Sequence, residues 1–106
     1  MTLKEFGDRL TTSGIDFRYH HWKRAKSPPF GVFYIESNSN FAADGGVFIK
    51  MSNVVVELYT NSKQPERERD IEEILDALEL YYDKAETYVE SEKLYQVAYS
   101  LTLEMG

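Results

Sequence analysis

The sequence predicts a single α+β domain over residues 1–106, with two helices packed on one face of a mainly antiparallel five-stranded sheet, in the order α-β-β-β-α-β-β. Three observations predict it. Two segments carry apolar residues at helical spacing behind capping signals, the remaining segments alternate apolar and polar residues, and the links are short and rich in turn formers. The chain has the length of one ordinary domain, and a hydrophobic content of 42% suffices for a core without disulfide or metal staples.

The first helix lies in "TLKEFGDRLTTSG". Thr2 and Glu5 form a capping-box pattern, Leu3, Phe6 and Leu10 share one face, and Gly14 suits the left-handed position after the helix. "IDFRYHHW" follows as a strand, with Ile15, Phe17, Tyr19 and His21 on one side and Asp16, Arg18, His20 and Trp22 on the other. Paired prolines in "KRAKSPP" should stop that strand near Trp22. The second strand, Phe30 to Ser37, is apolar on both parities, which predicts cover on both faces or a partner subunit.

"NSNFAADGG" reads as a loop or hairpin tip with Phe41 among polar and small residues. The third strand runs from Val47 to Thr60, and its parity change from Val47, Ile49 and Met51 to Val54, Val56 and Leu58 predicts a bulge at Ser52 and Asn53. In "NSKQPERERDIEEILDAL", Pro65 falls in the first turn of a second helix whose apolar face is Ile71, Ile74, Leu75 and Leu78. Leu80 to Val89 and Leu94 to Met105 then close a β-hairpin around "ESEK", with Tyr95, Val97, Tyr99, Leu101, Leu103 and Met105 on one side. The chain holds no internal repeat, low-complexity tract or interdomain linker.

Charge is unevenly spread. Residues 1–63 hold eight bases and six acids, residues 64–106 hold four bases and twelve acids, and the total is -6. The acidic half argues against general affinity for nucleic acid. The chain has no cysteine, so disulfides, zinc ribbons, thiol nucleophiles and iron–sulfur clusters are excluded. "MTLKEFGDRL" carries no signal-peptide run and no segment approaches the roughly 20 apolar residues of a membrane span, so a soluble, unsecreted protein without a membrane partner is expected.

Catalytic chemistry finds little support. His20 and His21 are the two histidines, and on a regular strand they would point to opposite faces, which favours structural or surface roles over metal ligation. No GxSxG elbow, HExxH helix, Walker loop or GxGxxG turn is present, and "ADGG" alone is a turn. The carboxylates of the second helix, Glu66, Glu68, Asp70, Glu72, Glu73, Asp76 and Glu79, are interleaved with Arg67 and Arg69 and read as a solvated face. No catalytic, cofactor-binding or metal-binding residue is assigned.

Binding finds more. Arg18, Lys23, Arg24 and Lys26, with Tyr19 and Trp22 among them, form a small basic-aromatic group, and such residues are over-represented at protein–protein hot spots. Trp22, Lys23, Arg24, Lys26, Asn40 and Phe41 are the candidate partner-contact residues. An acidic chain with aromatic anchors and charges of opposite sign in different regions suits a subunit that docks on copies of itself.

"YHHWKRAKSPPFGVFY", "NFAADGGVFIK", "VVVELYTNSKQPERERDIEEIL" and "YVESEKLYQVAYSLTL", in that order over nearly the whole chain, resemble the tail terminator, or tail completion, proteins of long-tailed bacteriophages and prophages of Gram-positive hosts. One departure is Gln64, where an acidic residue is expected before the proline. The resemblance implies a virion tail and neck protein, made in the host cytoplasm, that forms a ring, commonly a hexamer, although isolated subunits can remain monomeric. It implies the major tail tube protein and the head–tail connector as partners, DNA passing through the lumen without specific binding, no cofactor and no catalytic residue. The competing reading is a monomeric prophage-encoded module that grips a host protein through Trp22, Phe41 and the basic loop.

Overall fold

Helix α1 (Leu3–Thr11) begins where Thr2 caps it. The Thr2 hydroxyl accepts from the Glu5 amide at 3.1 Å, and the Glu5 carboxylate accepts from the Thr2 amide at 3.3 Å. Phe6 and Leu10 face inward, and Gly14 takes a φ of +86° as the chain turns toward the sheet. The computed structural model describes residues 1–24, 26–42, 44–46 and 48–105.

The main sheet contains β1 (Phe17–Tyr19), β2 (Phe30–Asn38), β5 (Met51–Thr60), β7 (Leu94–Glu104) and β6 (Tyr82–Val89), side by side in that order. The β2–β5, β5–β7 and β7–β6 pairs are antiparallel, whereas β1 runs parallel to β2. Between β2 and β5 a small hairpin, β3 (Phe41–Ala42) with β4 (Phe48–Ile49), stands apart from this sheet. Helix α2 (Pro65–Ala77) has its proline in the first turn, as the sequence predicts, while Gln64 makes no side-chain cap.

Both helices cover one face. Phe6 and Leu10 of α1 and Ile71 and Leu75 of α2 pack on Phe17, Phe33, Val54, Val56, Leu58, Val97, Tyr99, Leu101 and Leu103. Strand alternation sends Phe30, Val32, Tyr34, Val55, Glu57 and Tyr59 to the other face, which carries no α-helix among the described residues. Burying each large apolar side chain stabilises the fold by about 1.5–3 kcal/mol. Close approach also selects Gly31, because a Cβ there would overlap the ring of Phe17 on the neighbouring strand.

Three expectations need correction. The first strand ends at Tyr19, not near Trp22, because His20 adopts a φ of +69° while its amide donates to the Phe33 carbonyl at 2.8 Å. The bulge expected at Ser52 and Asn53 is absent, since β5 pairs with β7 residue for residue from Met51 to Thr60; the register shift lies in β2, between Ile35 and Ser37. Ile49 belongs to β4, whereas within β5 the buried Ser52 already holds the parity of Val54, Val56 and Leu58 and Met51 points to the opposite side; Val47 lies outside the described residues.

The third correction concerns Glu68, which is not on the solvated face of α2 but buried, with 4% of its surface exposed. Its carboxylate meets the Lys63 ammonium at 2.7 Å and the Lys84 ammonium at 2.8 Å. Lys84 also reaches Glu72 at 2.8 Å, Glu72 accepts from the Tyr99 hydroxyl at 2.7 Å, and Lys63 pairs with Glu86. Burial pushes the Glu68 carboxyl upward, but the hydrogen bonds from Lys63 and Lys84 outweigh it and hold it below the ordinary glutamate range.

Candidate interaction surface

Parallel neighbours cannot be joined by a tight turn, so the chain must travel back from the end of β1 to the start of β2. The described residues of that return, 20–24 and 26–29, cross the face opposite α1 and α2, which places the basic segment over Phe30, Val32, Glu57 and Tyr59. Trp22 roofs it. Its Nε1 donates to the Gly31 carbonyl at 3.1 Å, its ring meets Phe30 edge-on at 6.3 Å, and Phe30 stacks on Tyr59 at 5.0 Å.

The Arg18 guanidinium lies 5.0 Å and the Lys26 ammonium 5.1 Å from the centre of the Trp22 ring. Lys26 also pairs with Asp16 at 3.2 Å. Around the indole, Arg18, Lys23, Arg24 and Lys26 line a hollow of about 510 Å³. Such a site is built for an anionic group carrying an apolar or aromatic portion.

Beneath this roof, the Glu57 carboxylate accepts from the hydroxyls of Tyr34 at 3.2 Å and Tyr59 at 2.9 Å, while Gln96 donates to the Tyr59 oxygen at 2.8 Å. Burial and the neighbouring Glu57 push the Tyr34 phenol up to about 12. The same two causes raise Tyr59, against the opposing hydrogen bond from Gln96. These hydrogen bonds link β2, β5 and β7 through Tyr34, Glu57, Tyr59 and Gln96.

The six candidate residues fall into two patches. Trp22, Lys23, Arg24 and Lys26 gather near the start of β2, whereas Asn40 and Phe41 follow its far end, roughly 30 Å along the strand direction. Asn40 accepts from the Met51 amide at 3.0 Å and so fixes the entry to β5, while Phe41 is 51% exposed. His20 and His21 behave differently from a regular strand, because the left-handed turn at His20 brings their Nδ1 atoms within 3.1 Å. No group of three His, Asp or Glu side chains is arranged to hold a metal ion among the described residues.

A second charged corner was not among the candidates. Glu79 and Tyr81, in the link from α2 into β6, and Asp83 at the start of β6 border a hollow of about 590 Å³ with Glu36 near the end of β2. Tyr81 is 83% exposed, and its hydroxyl donates to Asp83 at 3.3 Å. The signal that could have found it is "ELYYD", where Tyr81 falls outside the core parity of the strand and acids flank it.

No helix among the described residues is long and apolar enough to cross a membrane. No family model matches the sequence, and no curated protein matches it. The fold is similar to that of a chain in a solved structure of the virion of a native gene transfer agent (GTA) particle, with a TM-score of 0.56 and 11% identity, over 90% of this chain and 84% of that one. At that identity the likeness is one of fold.

Proposed function

We propose that the chain is a non-enzymatic structural subunit of a phage-like virion. It forms a ring, commonly a hexamer, that caps the finished tail tube and helps join the tail to the head connector. The observation that carries this reading is the fold shared over 90% of the chain with a component of a gene transfer agent virion. The ordered sequence resemblance to tail terminator proteins points the same way.

The surface suits assembly. A basic-aromatic corner and an acidic corner on different parts of one small fold give copies of the chain complementary faces. The exposed carboxylates of α2, Glu66, Asp70, Glu73 and Asp76, give the ring an acidic lining past which DNA slides, since like charge discourages phosphate contacts. The site of action is then the tail neck of the particle.

Electron microscopy of the purified protein, alone and with its tube subunit, tests this reading. Closed rings seated on tube ends are expected. Tubes left bare at high concentrations of the protein, or a ring whose lumen is basic, would count against the capping role and the lumen respectively.

A further inference from the structure

We propose that the hollow around Trp22 is the socket for the Glu79–Asp83 corner of a second copy of this chain, with Tyr81 entering against the indole. The inference rests on the self-assembling reading above and specifies the contact.

The socket asks for an acidic, aromatic occupant. Arg18, Lys23, Arg24 and Lys26 concentrate positive charge around a half-buried indole, and Asp16 engages Lys26 among them. The opposite corner offers that chemistry in a single turn of chain, where Glu79 and Asp83 flank a tyrosine that is 83% exposed. Glu36 adds a third carboxylate beside them. Tyrosine and tryptophan are the residues that most often carry interface energy, and placing cations against their rings adds to it.

Topology prevents the two corners from meeting within one molecule. The socket lies over β1 and the start of β2, where Phe30 pairs with Tyr59. The acidic corner enters β6 at Tyr82, which pairs with Leu101 opposite Val54 at the other end of the ladder. Four strand spacings separate β1 from β6, about 19 Å, and five residues along the strands add about 17 Å. Each copy therefore presents one socket and one plug on different borders, and that is a heterologous contact, which closes into a ring when the rotation permits.

Charge exchange tests the pairing directly. Lys23→Glu with Arg24→Glu makes the socket acidic, and Glu79→Lys with Asp83→Lys makes the plug basic; all four positions are exposed, so the fold should persist. Each double variant alone should need about tenfold or more higher concentration to assemble, because like charges now face each other. An equimolar mixture should recover assembly, since the acidic socket of one accepts the basic plug of the other.

The cysteine-free sequence permits a second measurement. A chain carrying both Lys23→Cys and Tyr81→Cys should give, on mild oxidation, a reducible ladder of multimers. Wild-type rings together with charge variants that assemble unchanged and no ladder would overturn this contact and leave the ring reading standing. A ladder from a protein that never caps tubes would support the contact and remove the capping role. Monomers throughout, with neither ladder nor capping, would remove both.

Discussion

Lys84 and Glu68 meet at 2.8 Å across the boundary between β6 and α2, and Lys63 closes on the same buried carboxylate at 2.7 Å. A carboxylate withdrawn from water is tolerated only when its charge is answered, and here two ammonium groups answer it. The pairing ties three otherwise separate pieces of chain together: the link before α2, the helix itself, and the outermost strand.

Lys84→Met should therefore destabilise the protein by about 1–2 kcal/mol, less than a fully orphaned buried charge because Lys63 remains. The double variant Lys84→Met with Glu68→Gln should recover part of the loss, since the buried charge goes with its partner. Urea midpoints of the four proteins in the cycle measure both effects. Equal stability of wild type and Lys84→Met would show the ion pair to be idle.

Stability should fall on both sides of neutrality for different groups. Glu68 and Glu72 are held below the ordinary glutamate value of 4.5, in each case because lysine hydrogen bonds outweigh burial, so their contribution is present above that value and is lost as pH falls through the lower folded one. Tyr34 is raised, so its contribution is complete below pH 10.0 and disappears as pH climbs through about 12. Thermal midpoints across the pH range check the acid limb. Tyrosinate absorbance checks the alkaline one, where Tyr34→Phe should remove one late-titrating phenol.

Trp22→Ala should uncover Phe30 and leave the Gly31 carbonyl without its side-chain donor, at a cost of about 1–3 kcal/mol. Trp22→Phe keeps ring surface but loses the donor, and should cost about 0.5–1.5 kcal/mol. Denaturation followed by circular dichroism measures both. Because the chain has one tryptophan, wild-type fluorescence also reports directly on this roof.

Gly31→Ala should destabilise by about 1–3 kcal/mol through overlap with the Phe17 ring. Pairing it with Phe17→Leu should cost less than the two changes added, because the smaller side chain makes room. A strictly additive result would place the strain elsewhere.

Features written locally were legible from sequence. Thr2 with Glu5, Pro65 at the start of α2, and the period-two run from Tyr95 to Leu103 each need only their near neighbours, and each stands where the pattern predicts. Glu68 was not legible, because its companion Lys84 lies sixteen positions away and their meeting depends on which parity of β6 faces the helix. The end of β1 was hidden for a similar reason: the left-handed turn at His20 is fixed by the Phe33 carbonyl on another strand. Of the candidate contact residues, the basic group stood out by composition, while its position over the sheet followed from a parallel crossover that no local pattern records.

The main sheet has unlike borders, three residues of β1 on one side and eight of β6 on the other. An incoming strand would find a long hydrogen-bonding template on the second border and almost none on the first. Any accretion through the backbone is therefore one-directional, and Asp83, Lys84 and Glu86 put alternating charges along the border where it would begin. Replacing Asp83 by Asn, which leaves the Lys84–Glu68 pair intact, should raise edge-to-edge association through this one flank.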